Sequence, residues 1–183
     1  TIVKRQIDAL QTTLKTLDYA AIERAVEAIA NARHVTTLGH GGAYVPALGM
    51  AIKLNWAGIP CTAATIDLFS NQVIATNDQD VVIGISHQGR TRELIEMLAL
   101  AKSFGATAIA ITTVPQSPLA AEATISLAVL TPEVARAGTF LIAFDTIMVL
   151  ADILSAAVVD RRWQGSPPNR REVIEWIETH LRV

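Results

Sequence analysis

Ser86, His87, Gln88, Gly89, Arg90 and Thr91 form one unbroken run that could hold an anion. Two hydroxyls flank a glycine, and a helix-like stretch follows at once: Arg92, Glu93, Leu94, Ile95, Glu96, Met97, Leu98. That order sets hydroxyl and backbone N–H donors at the positive end of a helix dipole, an arrangement that most often takes phosphate. The plainer reading makes Ser86 and Thr91 no more than caps for the helix. A second run, Gly39-His40-Gly41-Gly42-Ala43, offers further amides and a second histidine. The groups able to move a proton are His40, His87, Glu93 and Glu133. Glu93 falls in the first turn of a helix, where acids are common for electrostatic reasons alone. Polar loop residues at a cleft also bind more often than they catalyse.

Sharper motifs fail on specific residues. Gly39-x-Gly41 lacks the third glycine of a dinucleotide fingerprint, because Tyr44 stands there. Gly84-x-Ser86 is half of a nucleophile elbow, but Gln88 occupies the second glycine position. There is no phosphate-loop lysine. His40 and His87 have no acid or cysteine at close ligand spacing, so neither a metal nor any other cofactor is expected.

These loops need strands and helices to aim them. Val81, Val82, Ile83, Gly84 and Ile85 read as a strand buried on both faces. Residues 34–38 read as a second strand leading into the 39–43 loop, and further strands are expected at 60–65, 106–112 and 124–130. Helices are expected between them at 46–57, around 68–75 and at 91–104, with a short helical start after Ser117-Pro118 and a long apolar helix at 138–159. Five apolar strands separated by helices predict an α/β domain with a parallel sheet. In such a sheet ligands bind beyond the carboxyl ends of the strands, where strand order reverses. If the strands at 34–38 and 81–85 are neighbours, one cleft receives both glycine loops. It also receives Thr112-Thr113 and Thr131-Pro132-Glu133.

Val3, Ile7, Leu10, Leu14 and Leu17 mark an apolar stripe on an N-terminal helix, to pack on the domain or on a second subunit. Asp18 is placed to cap the next helix, at 19–32, with Ile22, Val26 and Ile29 on its core face. The helix at 46–57 is apolar nearly all round and is a candidate subunit interface. A linker at 164–168 precedes a last helix, expected within 169–182.

The chain has 183 residues, 51% of them hydrophobic, enough for one domain with a sizeable core. A net charge of −2 and only 17% charged residues argue against wrapping around nucleic acid. The single cysteine, Cys61, lies in an apolar segment, which suits a reducing cytoplasm and a core role. No basic stretch leads into an apolar run at the N-terminus, so no secretory signal is read there. Asp145 and Asp152 interrupt the long apolar run, each at a cost of about 3 kcal/mol in a bilayer centre, so no membrane span is expected. The first residue is Thr1 rather than methionine, as expected for a domain taken from something longer.

Several blocks together resemble a SIS (sugar isomerase) domain. They are Gly39-His40-Gly41-Gly42, Lys53-Leu54 with Gly58, Ile85 through Glu93, Ala108 through Thr112, and Ser117-Pro118-Leu119-Ala120. The helix around Leu17-Asp18, Ile22, Ala25-Val26 and Ile29, with the Ser86–Thr91 loop, is most similar to the ligand-sensing part of RpiR-type transcriptional regulators. The resemblance implies a three-layer αβα sandwich with a five-stranded flavodoxin-like sheet. It makes residues 1–183 one SIS domain, with N-terminal helices at 1–32, an α/β core at 33–160 and a C-terminal helix at 169–182. It further implies a homodimer, or a tetramer built from it, and a sugar phosphate as ligand. Gly41, Gly42, Ala43, Ser86, His87, Gln88, Gly89, Thr91 and Glu133 would line the site. DNA contact would come only through a domain not present in these residues.

The family usually carries serines where Ala43 and Gln88 stand, and both normally hydrogen-bond the phosphate. Ala43 has no side-chain donor, whereas Gln88 has a bulkier amide. Two function classes follow: an effector-sensing module, or an aldose–ketose phosphosugar isomerase using Glu93, Glu133, His40 or His87. The resemblance, rather than the chemistry, favours the sensor.

Overall fold

The structure is a computed structural model that describes residues 2–129 and 139–163, with side chains for 3–129 and 145–162. Helices α1 (Ile2–Thr16) and α2 (Tyr19–Asn31) come first. Asp18 caps α2 as its position suggests, its Oδ1 accepting from Ala21 N at 3.0 Å. Then the alternation begins: β1 (His34–Gly39), α3 (Tyr44–Trp56), β2 (Cys61–Ala64), α4 (Ile66–Gln72), β3 (Asp80–Ile85), α5 (Arg92–Ser103), β4 (Thr107–Thr112), α6 (Pro118–Glu122) and β5 (Ile125–Ala128). The last helix described is α7 (Thr139–Trp163). The linker at 164–168, the helix expected within 169–182 and Glu133 lie outside the described residues.

All strand pairs are parallel, in the order β2-β1-β3-β4-β5. All six residues of β3 are buried, because the sheet is covered on both faces. Ile83 and Ile85 join one core with Ile22, Val26, Met50, Leu54, Leu150 and Leu154 of α2, α3 and α7. Val82 joins the other with Phe69, Leu94, Leu98 and Leu119 of α4, α5 and α6. Two opposed cores explain why the strand reads as continuously apolar instead of alternating. Cys61 is buried on β2, and burial alone pushes its thiol up to about 12. At neutral pH it holds no thiolate and packs as a small apolar residue.

Helix bounds and faces differ in detail from the sequence reading. α3 starts two residues earlier than expected, with Pro46 inside its first turn, where the missing N–H has no intrahelical partner to lose. α7 runs four residues past the expected end at 159, through Asp160, Arg161 and Arg162. The apolar pattern stops there, but the arginines continue the helix and tie it down. Arg161 pairs with Glu23 at 3.1 Å and with Glu27, and Arg162 donates to the carbonyls of Ala30 and Gly58 at 3.1 and 3.3 Å. The stripe of α1 faces mostly away from the domain, the course expected if it packs on a second subunit. Ala9, Thr13 and Leu17 are buried, while Val3, Ile7 and Leu14 are 63%, 49% and 51% exposed. Small side chains let α1 lie close on α7, which turns the larger ones outward.

The two acids of the long apolar run are both engaged. Asp145 accepts from Gln6 of α1 and Asp152 pairs with Lys53 of α3. Among the described residues no helix is long and apolar enough to cross a membrane. The amino end of the sheet is pinned by Arg33, whose Nε and Nη2 donate to Asp80 Oδ1 and Oδ2 at 3.0 and 2.6 Å. Asp80 Oδ2 also accepts from Asn77 N at 3.0 Å.

Candidate functional site

β1 and β3 are neighbours, and Gly39 lies in register with Ile85, so the two glycine loops leave the sheet side by side. Strand order reverses between these two strands, which is where an open parallel sheet places its ligand cleft.

On the β3 side, Ser86 N donates to Ile111 O at 3.0 Å, carrying the β3–β4 pairing one residue past the strand. The chain then turns back on itself, with Gly89 N donating to Ser86 O at 3.2 Å. Gly89 has φ +61°, and a Cβ there would overlap the Cβ and Oγ of Ser117. Only glycine fits on both counts. Its carbonyl accepts from Leu119 N at 3.0 Å, joining the turn to α6.

Thr91 is the N-cap of α5, yet its hydroxyl makes no capping bond. It lies 3.2 Å from Ser86 Oγ instead. Two hydroxyls hold two protons, and one suffices for their mutual bond, so the pair keeps a proton to donate outward. The simple capping reading of Thr91 does not describe what its hydroxyl does. The first-turn N–H groups of α5 lie next to this pair and carry the positive end of the helix dipole. Ser86 is buried and Thr91 half-buried, while Gln88, Arg90 and Glu93 are exposed.

On the β1 side, Gly41–Ala43 forms a single 3-10 turn closed by Ala43 N to His40 O at 3.1 Å. Gly39 must lack a side chain, because a Cβ would run into the backbone of Ala43 and Tyr44. That close approach seats the start of α3 on the strand end. His40, Gly41 and Gly42 are exposed and Ala43 is half-buried.

Of the residues singled out from sequence, the fold therefore brings Gly41, Gly42, Ala43, Ser86, His87, Gln88, Gly89 and Thr91 onto two adjacent loops. His40 lies on the first of these loops and Glu93 in the first turn beyond the second. Thr112 ends the next strand and Thr113 follows it. Their hydroxyls do not face a ligand; both donate to the His87 carbonyl. Ser117, the seat for Gly89, stands in the sequence reading as part of the Ser117–Ala120 block and not as a site residue. Among the described residues no three His, Cys, Asp or Glu side chains gather as a metal site. A cavity of about 230 Å³ opens at the other, amino end of the sheet, lined by Arg33, His34, Thr36, Thr62, Gln72 and Thr76 among others. His34 Nε2 and Thr62 Oγ1 bond each other there at 3.1 Å, and Arg33 is committed to Asp80. The cavity is below the roughly 300–1,000 Å³ usual for ligand pockets.

The SIS domain family matches residues 28–157, which include both loops and all five strands. The chain belongs to the SIS domain family. It is 34% identical over 177 residues to an uncharacterized HTH-type transcriptional regulator of Caldanaerobacter subterraneus, covering 96% of this chain and 60% of that protein. The chain thus spans about three-fifths of that relative's length. Among solved structures it is similar to the sugar isomerase domain of an RpiR transcription factor from Sphaerobacter thermophilus. That likeness has a TM-score of 0.80 at 26% identity, covering 97% of this chain and 96% of that one. The NanR protein of Vibrio vulnificus, solved with ManNAc-6P, shares the fold. Its TM-score is 0.82 at 22% identity, over 97% of this chain and 67% of that one.

Proposed function

We propose that this SIS domain is the effector-sensing part of a bacterial RpiR-type transcriptional regulator and that its effector is a sugar phosphate. The supporting observation is the Ser86–Thr91 hydroxyl pair, 3.2 Å apart at an α5 N-terminus whose cap residue makes no side-chain capping bond. Hydroxyl protons, loop amides and the helix dipole then favour one small anion at one place. The phosphate is held on the 86–91 loop, and the sugar extends toward Gly41, Gly42 and Ala43, with His87, Gln88 and Glu133 bordering it. Kinship with an HTH-type regulator and an RpiR structure supports sensing over turnover. Residues 1–183 act as one domain in the cytoplasm, and DNA contact falls to another part of the full regulator. Sugar-phosphate binding biases the geometry of the assembly and so the placement of whatever is attached to it.

The decisive experiment is calorimetric titration with a panel of aldose and ketose phosphates, beside the same sugars without phosphate. Binding of at least one phosphorylated sugar, with none of its unphosphorylated counterpart and no interconversion on prolonged incubation, is the expected result. Robust isomerisation that vanished in Glu93→Gln would move the chain to the enzyme class.

The assembly is a homodimer. Val45, Leu48, Ile52 and Trp56 form one outward face of α3 and are 59%, 43%, 48% and 70% exposed. With the outward stripe of α1, exposed apolar faces stand on two helices, the kind of surface that a second copy would cover. Light scattering at micromolar concentration should return twice the chain mass, and Trp56→Glu should lower it. A monomeric parent would sink this part of the reading.

A further inference from the structure

The carbonyl oxygen of His87 collects three hydrogen bonds from two consecutive residues. Thr113 N donates at 2.9 Å, Thr113 Oγ1 at 2.8 Å and Thr112 Oγ1 at 3.0 Å. Both threonines are at the buried carboxyl end of β4, at 0% and 1% exposure. A carbonyl oxygen has two lone pairs, so three donors exceed what satisfying it requires. The consequence falls on the other end of the same peptide unit. No described peptide is cis, so the N–H of Gln88 points opposite to the His87 carbonyl. β4 lies on one side of β3 and β1 on the other. A carbonyl drawn toward the end of β4 therefore turns the Gln88 N–H toward the loop of β1, across the cleft. Among the described residues no backbone carbonyl or side chain accepts from that N–H. Each bond at the carbonyl also polarises the peptide and strengthens the donor at its far end, by about 10–30%.

We propose that Thr112 and Thr113 are positioning residues of the anion site: by holding the His87 carbonyl they fix and polarise the Gln88 amide as a main-chain donor to the bound anion. The proposal rests on the reading of the 86–91 loop as the anion loop. It also explains how the side chain at position 88 can depart from serine, since the donor that matters there belongs to the backbone.

The test uses the full chain, with inorganic phosphate as the probe and ¹⁵N-labelled protein followed by NMR. Thr113→Val keeps the side-chain shape and loses the hydroxyl, whereas Thr113→Ser keeps the hydroxyl. Phosphate affinity should fall about three- to tenfold in Thr113→Val, fall further when Thr112→Val is added, and stay within about twofold of the parent in Thr113→Ser. In ligand-free protein the Gln88 amide proton should move upfield in the valine variants and stay in place in the serine variant. A purely structural role would lower the melting temperature without moving that resonance. Thr113→Ala removes the same hydroxyl with no risk of overpacking should the valine variant misfold. If the parent binds phosphate and the valine and alanine variants bind it equally well, the positioning role is overturned while the anion loop stands. If the parent binds neither phosphate nor any sugar phosphate, both fall together.

Discussion

Ser86→Ala is expected to weaken sugar-phosphate binding about ten- to hundredfold while leaving the fold intact. A hydroxyl donating to a phosphate oxygen contributes about 1.5–3 kcal/mol, which converts to that range. Thr91→Ala should cost a similar factor. Because the two hydroxyls share one bond 3.2 Å long, they act as a unit, and the double variant should lose less than the product of the singles. The ligand-free fold should barely register either change. In Ser86→Ala the partner left behind, Thr91, is half-buried and rehydrated; in Thr91→Ala the helix loses no capping bond, because that hydroxyl makes none. Gln88→Ser, which installs the residue the family usually carries, should keep phosphate binding or tighten it. Titration of the three variants with one sugar phosphate is the check. Parent-like affinity in both alanine variants would place the anion elsewhere.

Gly89→Ala should be far more damaging to the protein itself. The added methyl meets Ser117 Oγ and Cβ well inside van der Waals distance, and the backbone stands at φ +61°. Strain at a left-handed position and overpacking against a buried residue together cost about 2–4 kcal/mol. Sugar-phosphate binding should vanish with it, since the turn carries Ser86 on one side and Thr91 on the other. Two companions separate the causes. Ser117→Gly in the Gly89→Ala background removes the steric overlap and leaves the φ strain, so it should restore part of the stability. Gly84→Ala, two residues before the first loop position, Ser86, is the control. Its Cβ would meet Leu119, Leu98 and Leu94 at 3.5–3.7 Å, ordinary contact, and should cost less than about 1 kcal/mol. Chemical denaturation reads all four proteins on one scale. Equal stability of Gly89→Ala and the parent would contradict this account of the turn.

Much of this is legible in the sequence. A β-branched run ending in Ser86 is a buried strand for reasons of composition. A glycine turn followed by a helical period then has to leave the sheet at its carboxyl edge. The placement of two such loops in one cleft followed from the hypothesis that their strands are adjacent, which the register of Gly39 with Ile85 bears out. What sequence did not disclose depends on partners distant in the chain. The hydroxyls of Thr112 and Thr113 look like ligand groups until the His87 carbonyl, 25 and 26 residues away, claims them. The outward turn of Val3, Ile7 and Leu14 depends on where α7 crosses α1, and no periodicity within α1 encodes that. Glu133 follows the last strand in sequence and lies outside the described residues.

The contacts of α7 are spread along its length in an order that gives the helix the form of a balance beam. Near its start Asp145 holds α1, at its middle Asp152 holds α3, and at its end Arg161 and Arg162 hold α2. At 1.5 Å per residue its 25 residues span about 37 Å. The middle support belongs to the helix that begins at the glycine loop of the site. A tilt of about 5° around that support would carry the two ends roughly 1.6 Å in opposite directions, from the helix rise alone. A movement of the Gly41–Ala43 turn large enough to tilt α7 in this way would reach α1 and α2 with opposite sign.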